Sequence, residues 1–292
     1  MGKIIYHAGE YVDESQAFVR VSSLAMRYGL SVFEGVRAYL THDGRLQPFR
    51  MGAHLERLRQ SARTLTLPDP GIDRIPEIVE RLIDANGVRE DCYIRPSIHA
   101  IDPGDMGSTL ASALTVDVKP MGRKKWLAED LAAKVTISSW RKARHDVFPS
   151  ALKCISAYAI PFIADHGARA AGYDFPVFLN DEGYLSEAPT AALFIVTGNR
   201  LRTPALDQAI LPSITRDAIL EIGRAEGLDV REERLMPNEL HMADEAFLCG
   251  TGLEIAPIAS VDAYVLKHHA ARPVTRRLVA RYLDLAREHR HE

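Results

Sequence analysis

The chain has 292 residues, a formal net charge of -3, and 47% hydrophobic against 26% charged residues. This length and apolar share suffice for one large or two medium domains with a buried core, and the ordinary composition excludes disordered, collagen-like and disulfide-scaffold proteins. A near-neutral charge balance predicts no nucleic-acid partner, because such binding usually needs a basic surface. No apolar run is long enough to span a membrane, and the first seven residues do not resemble a signal peptide.

The cysteines and histidines predict neither a disulfide framework nor a metal site. The three cysteines, Cys92, Cys154 and Cys249, are an odd number without a CxxC pair, which is typical of a protein in a reducing compartment. The pair 268–269 and the terminal run 289–292 contain histidines but no matching carboxylate at ligand spacing. We therefore expect a cytoplasmic protein with no metal.

The first half of the chain alternates short β-like runs with helical ones. Apolar runs and alternation predict strands over 3–7, 17–21, 38–40, 92–98 and 114–118. Apolar residues at helical spacing predict helices over 51–65 and 75–86. A polar connector follows at 122–125, which places the join between two domains near Pro120.

The second half also mixes strands and helices. The pattern predicts a strand over 134–138, a helix over 153–166, a hairpin of 175–179 and 192–196 around a turn at 180–183, a helix over 214–226, a buried strand over 246–249 and a last helix over 274–289. Strands and helices in both halves predict an α/β or α+β protein of two domains. The sequence has no GxSxG elbow, no GxGxxG after a strand, no Walker loop and no HExxH.

Lys153 stands in an otherwise uncharged stretch over 148–160. A lysine in apolar surroundings loses proton affinity because its charged form is poorly solvated, and it then becomes a nucleophile near neutral pH. Such lysines form Schiff bases with carbonyl compounds, pyridoxal phosphate (PLP) included. The more common alternative is a packed side chain with its ammonium in water, and the local sequence by itself favours that alternative.

Other segments could bind the ring nitrogen or the phosphate group of such a cofactor. Glu187, between two apolar runs, could pair with a pyridinium nitrogen or be a loop residue in water. The segment 211–217 opens a helix, and Gly250-Thr251-Gly252 follows a buried strand, so both could bind phosphate. A plain N-cap and a strand-ending turn are the ordinary alternatives. Arg57, inside a predicted helix, would by itself be a surface arginine.

Taken in order, these segments resemble the branched-chain amino acid aminotransferases, in the fold-type IV (class IV) family of PLP enzymes. The run from Tyr28 to Tyr39 is similar to the family block YGxxxFEGxR, 54–58 to its phosphate-arginine helix, and 93–96 to its YxRP strand. The remaining matches are Lys153 followed by Tyr158, Ser186-Glu187, 211–217 and 250–255. The series extends over nearly the whole chain, from Tyr28 to Pro257.

The resemblance implies a role for each matching residue. Lys153 would bind PLP as a Schiff base and then move the proton between the substrate Cα and C4′ of the cofactor. The other implied cofactor contacts are Glu187 at the pyridinium nitrogen, Tyr158 at the phenolic oxygen, and Arg57, Ile214, Thr215 and Thr251 at the phosphate. The implied substrate contacts are Tyr93 and Thr251-Gly252 at the α-carboxylate, Arg95 and Tyr28 at the distal carboxylate of glutamate, Phe33 in the side-chain pocket, and Arg37.

The resemblance also implies the architecture and the activity. It implies a smaller N-terminal α/β domain over 1–120, a linker over 121–133 and a larger C-terminal α/β pseudo-barrel domain over 134–292 that binds PLP. The implied enzyme is a PLP-dependent aminotransferase that moves an amino group between a branched-chain L-amino acid and 2-oxoglutarate by a ping-pong mechanism. It would be a homodimer or higher homo-oligomer, with the active site at the domain junction and partly closed by the other subunit.

The chain departs from the family pattern in three places. Residues 154–158 read Cys-Ile-Ser-Ala-Tyr where the family usually has Gly-Gly-Asn-Tyr, residues 188–192 contain Pro189 but no asparagine, and Ser213 stands where glycine is frequent. These changes leave two alternatives open. One is a D-amino acid or (R)-amine transaminase, or an aminodeoxychorismate lyase-type enzyme, on the same fold. The other is a protein that binds PLP or a metabolite without catalysis.

Overall fold

The computed structural model describes residues 2–288, so the histidine-containing run 289–292 lies outside the described residues. Within them the chain divides into two compact units. The first comprises residues 2–122 with 152–157 and 287–288, and the second comprises 123–151 and 158–286. Each unit contains one β-sheet with helices, which confirms the predicted mixed α/β class. Residues 152–157, which include Lys153, pack with the first unit although they follow the connector in sequence.

The first unit contains a seven-stranded sheet. Its strands are β1 Ile4–His7, β2 Glu10–Asp13, β3 Ser31–Phe33, β4 Val36–Leu40, β5 Leu46–Pro48, β6 Cys92–Ala100 and β7 Ser112–Pro120. They pair antiparallel in the order β2-β1-β7-β6-β4-β5, and β3 also pairs with β6. The long β6–β7 pair, whose inward side chains are buried, is the centre of this sheet.

Helices α1 Leu24–Tyr28, α2 Met51–Thr64 and α3 Ile75–Ala85 complete the first unit. The predicted helices over 51–65 and 75–86 are confirmed to within one residue at their ends. On α3 the apolar residues repeat at helical spacing and are almost fully buried, as in Ile75, Ile78 and Leu82. On α2 the buried side also contains polar residues, His54 and Ser61, which an ordinary packing helix does not need.

The predicted strand over 17–21 is wrong. This segment has no strand pairing, and its apolar side chains point into solvent, with Phe18 77% and Val21 85% exposed. Apolar alternation predicts a strand only if a neighbouring strand is there to take up the backbone N–H and C=O groups. Here the chain instead enters α1, whose N-terminus is capped by the Ser23 hydroxyl.

The second unit contains an eight-stranded mixed sheet. Its strands are β8 Ala133–Arg141, β9 Phe175–Leu179, β10 Ala192–Thr197, β11 Arg200–Pro204, β12 Asp229–Glu233, β13 Glu245–Gly250, β14 Glu254–Val261 and β15 Tyr264–Val265. The order is β12-β11-β10-β13-β14-β8-β9, with β15 paired to β14. The helices are α4 Lys125–Ala128, α5 Ala159–Ala170, α6 Ile214–Ala225, α7 Pro237–His241 and α8 Pro273–Arg287. The predictions for 214–226 and 246–249 are confirmed.

The predicted hairpin of 175–179 and 192–196 is wrong. Strand β9 pairs in parallel with β8, whereas β10 pairs with β11 and β13. The turn after Leu179 exists, but the chain returns along β9 only as the short segment 184–187, in which Ser186 donates to the Phe178 carbonyl. Turn residues predict that the chain reverses, and they do not predict which later run becomes the partner strand.

The predicted helix over 153–166 begins too early. A 3-10 turn, Ile155–Tyr158, precedes α5, and Lys153 lies before both in an extended segment. Cys154 forms an isolated antiparallel bridge with Val32 of β3, so the backbone groups of this segment are engaged by a strand of the first unit. Tertiary pairing has overridden local helix propensity here.

Replacement of Leu82 by alanine should lower the free energy of unfolding by about 2–5 kcal/mol, because a fully buried side chain would leave a cavity in the α3 interface. Urea unfolding followed by circular dichroism measures the change. The matched control is Glu80→Ala on the exposed side of the same helix, which should stay within about 0.5 kcal/mol of wild type. Equal losses in the two variants would contradict the described packing of α3.

Two histidines and a threonine form a cluster on the sheet of the first unit. Thr115 Oγ1 lies 2.8 Å from Nδ1 of His7 and 3.3 Å from Nε2 of His99, and the two imidazole rings stack 5.9 Å apart. Burial, assisted by the neighbouring His7, lowers the pKa of His99 to about 4. The folded protein therefore keeps His99 neutral at pH values where an unfolded chain protonates it.

Stability should decrease as the pH is lowered from about 6.5 to about 4, since the unfolded chain then binds a proton that folded His99 does not. His99→Asn should reduce this loss by an amount on the order of 1–3 kcal/mol. The measurement is the urea midpoint at a series of pH values, with the exposed His42→Asn as control. A pH dependence left unchanged by His99→Asn would refute the assignment.

Candidate active site

Lys153 is fixed through its backbone by two elements of the first unit. Its N–H donates to the Ser61 hydroxyl of α2 at 3.2 Å, and its carbonyl accepts from the Phe33 N–H of β3 at 3.1 Å. The side chain is half-buried, and its Nζ lies 4.6 Å from the centroid of the Phe33 ring. An aromatic ring face attracts a cation but supplies no full countercharge. The lysine is thus held in a defined place against an apolar surface.

A buried carboxylate lies next in sequence to Phe33. Glu34 is fully buried, with Oε1 2.6 Å from Nε of Arg57 and Oε2 2.8 Å from Nη2 of the same residue. Nδ1 of His54 lies 2.7 Å from Oε2 and must donate, because an ionised carboxylate only accepts. Arg57, predicted to contact a phosphate, therefore belongs to a largely buried network centred on Glu34 and is not an ordinary surface residue.

The protonation states of this network follow from burial and pairing. Burial alone would raise the pKa of the Glu34 carboxyl, but the charge and hydrogen bonds of Arg57, with a hydrogen bond from His54, lower it to about 2. Burial lowers the pKa of His54, an effect that Glu34 only partly offsets. At neutral pH the group therefore consists of one anion, one cation and a neutral imidazole.

The spacing on α2 explains why these groups meet. His54, Arg57 and Ser61 are three and four residues apart, so they lie on one side of the helix. That side contacts Glu34 through His54 and Arg57, and the Lys153 backbone through Ser61. The polar residues on the buried side of α2 thus serve the site instead of the apolar core.

The predicted substrate residues Phe33, Tyr93 and Arg95 lie on the neighbouring strands β3 and β6. The exposed Arg95 guanidinium lies 4.0 Å from the centroid of the Phe33 ring. Tyr93 is half-buried, and a Cβ on Gly35 would overlap its hydroxyl. Glycine is therefore required at position 35 to admit the tyrosine. The charged groups of Arg95 and Lys153 therefore both lie close to the Phe33 ring.

The other predicted substrate residues of the first unit, Tyr28 and Arg37, have different surroundings. Tyr28 is half-buried at the end of α1, where Arg27 contacts its hydroxyl at 3.4 Å and the Gly104 carbonyl at 2.7 Å. Arg37 is almost fully buried on β4, and its Nη2 donates to the carbonyls of Met121 and Gly122 at 2.8 and 2.7 Å. In this arrangement Arg37 fixes the chain at the end of the first unit.

In the second unit, Glu187 has two defined partners. Its Oε1 lies 2.7 Å from Nζ of Lys142, and its Oε2 accepts from the Leu211 N–H at 3.1 Å. Lys142 directly follows β8, and Glu187 ends the short segment that returns along β9. The carboxylate is only 8% exposed, so it is an oriented group and not the solvated loop residue that the local sequence allowed.

The register of β10 and β13 places the residues just before β10 beside the end of β13. Ala192, at the start of β10, pairs with Cys249 near the end of β13. Thr190 and Ala191 therefore lie beside Gly250, which is followed by Thr251 and Gly252, both of which are half-buried. A Cβ on Gly250 would lie 2.8 Å from the Thr190 carbonyl oxygen, which shows how closely the two segments approach.

Helix α6 begins close to Glu187, because the Leu211 N–H, three residues before the helix, donates to the Glu187 carboxylate. Ser213 caps the helix by accepting from the Arg216 N–H at 3.2 Å, and Ile214 and Thr215 are its first two residues. The first N–H groups of a helix have no intrahelical acceptor, and the helix dipole favours an anion there. Tyr158, also predicted at the cofactor, is half-buried and ends the 3-10 turn before α5.

Sequence patterns missed several residues that the structure places in these networks. The motifs that carry the resemblance contain Glu34 and His54 but imply no role for them, and they include neither Ser61 nor Lys142. Polar residues at positions 54 and 61, on the otherwise apolar side of α2, were the one available signal. Lys142 had none, because its partner Glu187 is 45 residues away.

Residues 2–288 contain neither a candidate metal cluster nor a candidate membrane span. In this part of the chain no group of three or more histidine, cysteine, aspartate or glutamate side chains could hold a metal ion. No helix among the same residues is both long and apolar enough to cross a membrane.

Comparison with known proteins identifies the family. Residues 31–261 match the family model described as Amino-transferase class IV. A branched-chain-amino-acid aminotransferase of Salmonella typhimurium is 36% identical over 287 residues, which are 96% of this chain and 92% of that protein.

Solved structures agree in fold. The branched-chain aminotransferase of Thermoproteus uzoniensis, crystallised with norvaline, has a TM-score of 0.91 at 32% identity, covering 99% of this chain and 96% of that one. The corresponding enzyme of Thermobaculum terrenum, in its PLP form, has a TM-score of 0.90 at 32% identity, covering 98% and 95%. These matches confirm the fold of type IV, in which the second sheet forms a half-barrel. The chain therefore belongs to the class IV aminotransferases and is an enzyme similar to the branched-chain amino acid aminotransferases.

Proposed function

We propose that the protein is a PLP-dependent transaminase that moves an amino group between a branched-chain L-amino acid and 2-oxoglutarate by a ping-pong mechanism, with Lys153 as the catalytic residue. The observation that carries this proposal is the fixation of Lys153, whose backbone is held by Ser61 and Phe33 and whose amine lies against an aromatic ring. A relative of the same fold was solved in its PLP form and another with norvaline, an aliphatic amino acid.

The chemistry of the available groups fits PLP. A lysine amine suits the aldehyde, an oriented carboxylate suits the pyridine nitrogen, and an arginine with a helix N-terminus suits the phosphate. We assign Lys153 and Glu187 to the first two positions and Tyr158 to the phenolic oxygen. At the phosphate we place Arg57, Ile214, Thr215 and Thr251.

Bound PLP would supply an aldehyde that exchanges with the amino group and a ring that accepts the electrons released when the Cα–H bond breaks. Once released from the cofactor, the Lys153 amine would take the proton from the substrate Cα and return it at C4′. Glu187, held by Lys142 and the Leu211 N–H, stays in place as the acceptor for a protonated ring nitrogen. Phe33 covers Lys153 on one side and limits its contact with water.

Substrate selection would depend on the Phe33 ring and the arginine beside it. Phe33 offers an apolar surface to a branched side chain, and Arg95, 4.0 Å from the same ring, offers a cation to the distal carboxylate of glutamate. One pocket can then accept both partners of the reaction. In this proposal Tyr93 and the amides of Thr251 and Gly252 bind the α-carboxylate. Tyr28 also contacts the distal carboxylate, and Arg37 remains among the predicted substrate contacts.

We include a homodimer in the cytoplasm in this proposal, as the family resemblance implies. The exposed apolar side chains on and before α5, Phe162 among them at 73% exposure, are consistent with a surface that another subunit covers. Sedimentation equilibrium of the PLP-loaded protein would measure the mass, and a monomer at micromolar concentration would remove the dimer from the proposal.

The visible absorbance of PLP-loaded protein tests the function directly. Excess L-leucine without a keto acid should remove the band of the lysine-bound cofactor, and 2-oxoglutarate should restore it. Lys153→Ala should lack this band and should slow amino transfer from L-leucine by about 10²–10⁴-fold, whereas the exposed Lys267→Ala should keep both as in wild type. Retention of both the band and the turnover in Lys153→Ala would refute the mechanism. Loss of the band with D-leucine or an (R)-amine but not with L-leucine would favour the alternative transaminases. A band that none of these amino donors removes would favour the lyase.

Glu187→Gln should lower kcat/KM by about a hundredfold or more, because a neutral amide does not stabilise a protonated ring nitrogen. Lys142→Met should cause a smaller loss, since the carboxylate remains but is less well oriented. The matched control is Glu245→Gln, another buried carboxylate of the second unit, which caps α8 through the Val274 and Thr275 N–H groups. It should lower the melting temperature and leave kcat/KM of the folded enzyme near wild type.

A further inference from the structure

Glu34 is a charged group in a place where an apolar residue would pack at less cost. Its carboxylate is completely buried, and burial of a charge is unfavourable unless partners compensate for it. The partners are the Arg57 guanidinium, the His54 imidazole and the Gly35 N–H, which lies 3.3 Å from Oε2. All of them belong to the first unit, and no step of the proposed reaction uses Glu34 or His54.

The geometry of the pair determines the orientation of Arg57. Both Nε and Nη2 are engaged by the two oxygens of one carboxylate, so the plane of the guanidinium is fixed and with it the direction of the Nη1 edge. His54 in turn holds Oε2, so the carboxylate itself cannot rotate. The Arg57 side chain is 11% exposed, whereas those of Glu34 and His54 are 0% and 1% exposed. The buried carboxylate and imidazole therefore fix the orientation of a guanidinium that lies nearer the surface of the unit.

We propose that Glu34 and His54 are positioning residues that fix the Arg57 guanidinium for the phosphate group of the cofactor. This inference rests on the proposed function, in which Arg57 contacts that phosphate. A long arginine side chain has many rotamers, and an interaction with a phosphate gains affinity when the rotamer is already selected before binding. A carboxylate anchored by a neutral imidazole performs this selection without adding a second mobile group.

The competing explanation is that the network only stabilises the fold. An ion pair that only stabilises the fold and one that orients Arg57 can be told apart by what changes when the pair is removed. Loss of a structural pair lowers the melting temperature and affects every ligand of the site alike. Loss of a positioning pair weakens binding of PLP, which has the phosphate, and leaves binding of pyridoxal, which lacks it, almost unchanged.

The experiment compares PLP and pyridoxal binding to the apoenzyme by absorbance titration, in wild type, Glu34→Gln, His54→Leu and His54→Gln. Glu34→Gln should weaken PLP binding by about ten- to a hundredfold, as expected for hydrogen bonds to a charged group, with pyridoxal binding within about twofold of wild type. His54→Leu should show the same selective loss at about tenfold. His54→Gln, which keeps an N–H donor for Glu34, should retain most of the PLP affinity. The phosphorus-31 resonance of bound PLP should shift in the first two variants.

Asp91→Asn is the matched control. Asp91 forms a two-point pair with Arg287 in the same unit, with Oδ2 2.6 Å from Nη2, and has no place in the proposed site. It should lower the melting temperature and leave the ratio of PLP to pyridoxal affinity as in wild type. If Glu34→Gln does not fold, the two His54 variants decide the question.

The outcomes separate this inference from the function on which it rests. A wild-type protein that does not bind PLP through Lys153 would refute the proposed function and the inference together. Normal PLP binding in wild type, combined with an unchanged affinity ratio in Glu34→Gln and His54→Leu, would refute the inference alone. An equal change of the ratio in Asp91→Asn would refute it as well, because the effect would then be general.

Discussion

The buried charge of Glu34 is the constraint from which the organisation of the first unit around Lys153 follows. An ionised carboxylate inside a protein needs several donors, and α2 supplies them from one side through His54 and Arg57. These hydrogen bonds hold α2 against the turn between β3 and β4. One turn further along the same helix, Ser61 then holds the Lys153 N–H. Glu34, which has no part in the proposed reaction, thus helps to fix the helix that holds the backbone of Lys153.

In the second unit the corresponding constraint is strand register. The antiparallel pairing of β10 with β13 places the segment before one strand beside the segment after the other. Thr190 and Ala191 consequently lie beside Gly250, and a separate hydrogen bond joins Glu187 to the Leu211 N–H before α6, in a unit whose core is apolar. A slip of one residue would turn every side chain of β10 to the opposite side, so the buried strands protect the arrangement of the polar groups.

Two of the three departures from the family pattern lie where the chain packs closely against a glycine, and the third, Ser213, caps α6. Ser156 lies in the first altered segment, 154–158, and its Cβ is 3.0 Å from the position that a Cβ on Gly29 would occupy. Pro189 lies in a tight turn in which Ala188 and Ala191 bond to each other, close against Gly250. In both places the glycine on the facing segment leaves room for this close approach.

The sequence by itself determined the α/β class, the long amphipathic helices α2, α3 and α6, the central strands and the family, because periodicity and ordered motifs are local properties. Only the tertiary structure decided that 17–21 forms no strand, that β9 and β10 do not pair, and that Lys153 is extended against β3. The same holds for the partners of Glu34 and Glu187. Strand partners and charge pairs join residues distant in sequence, and a local pattern contains no information about which of them meet.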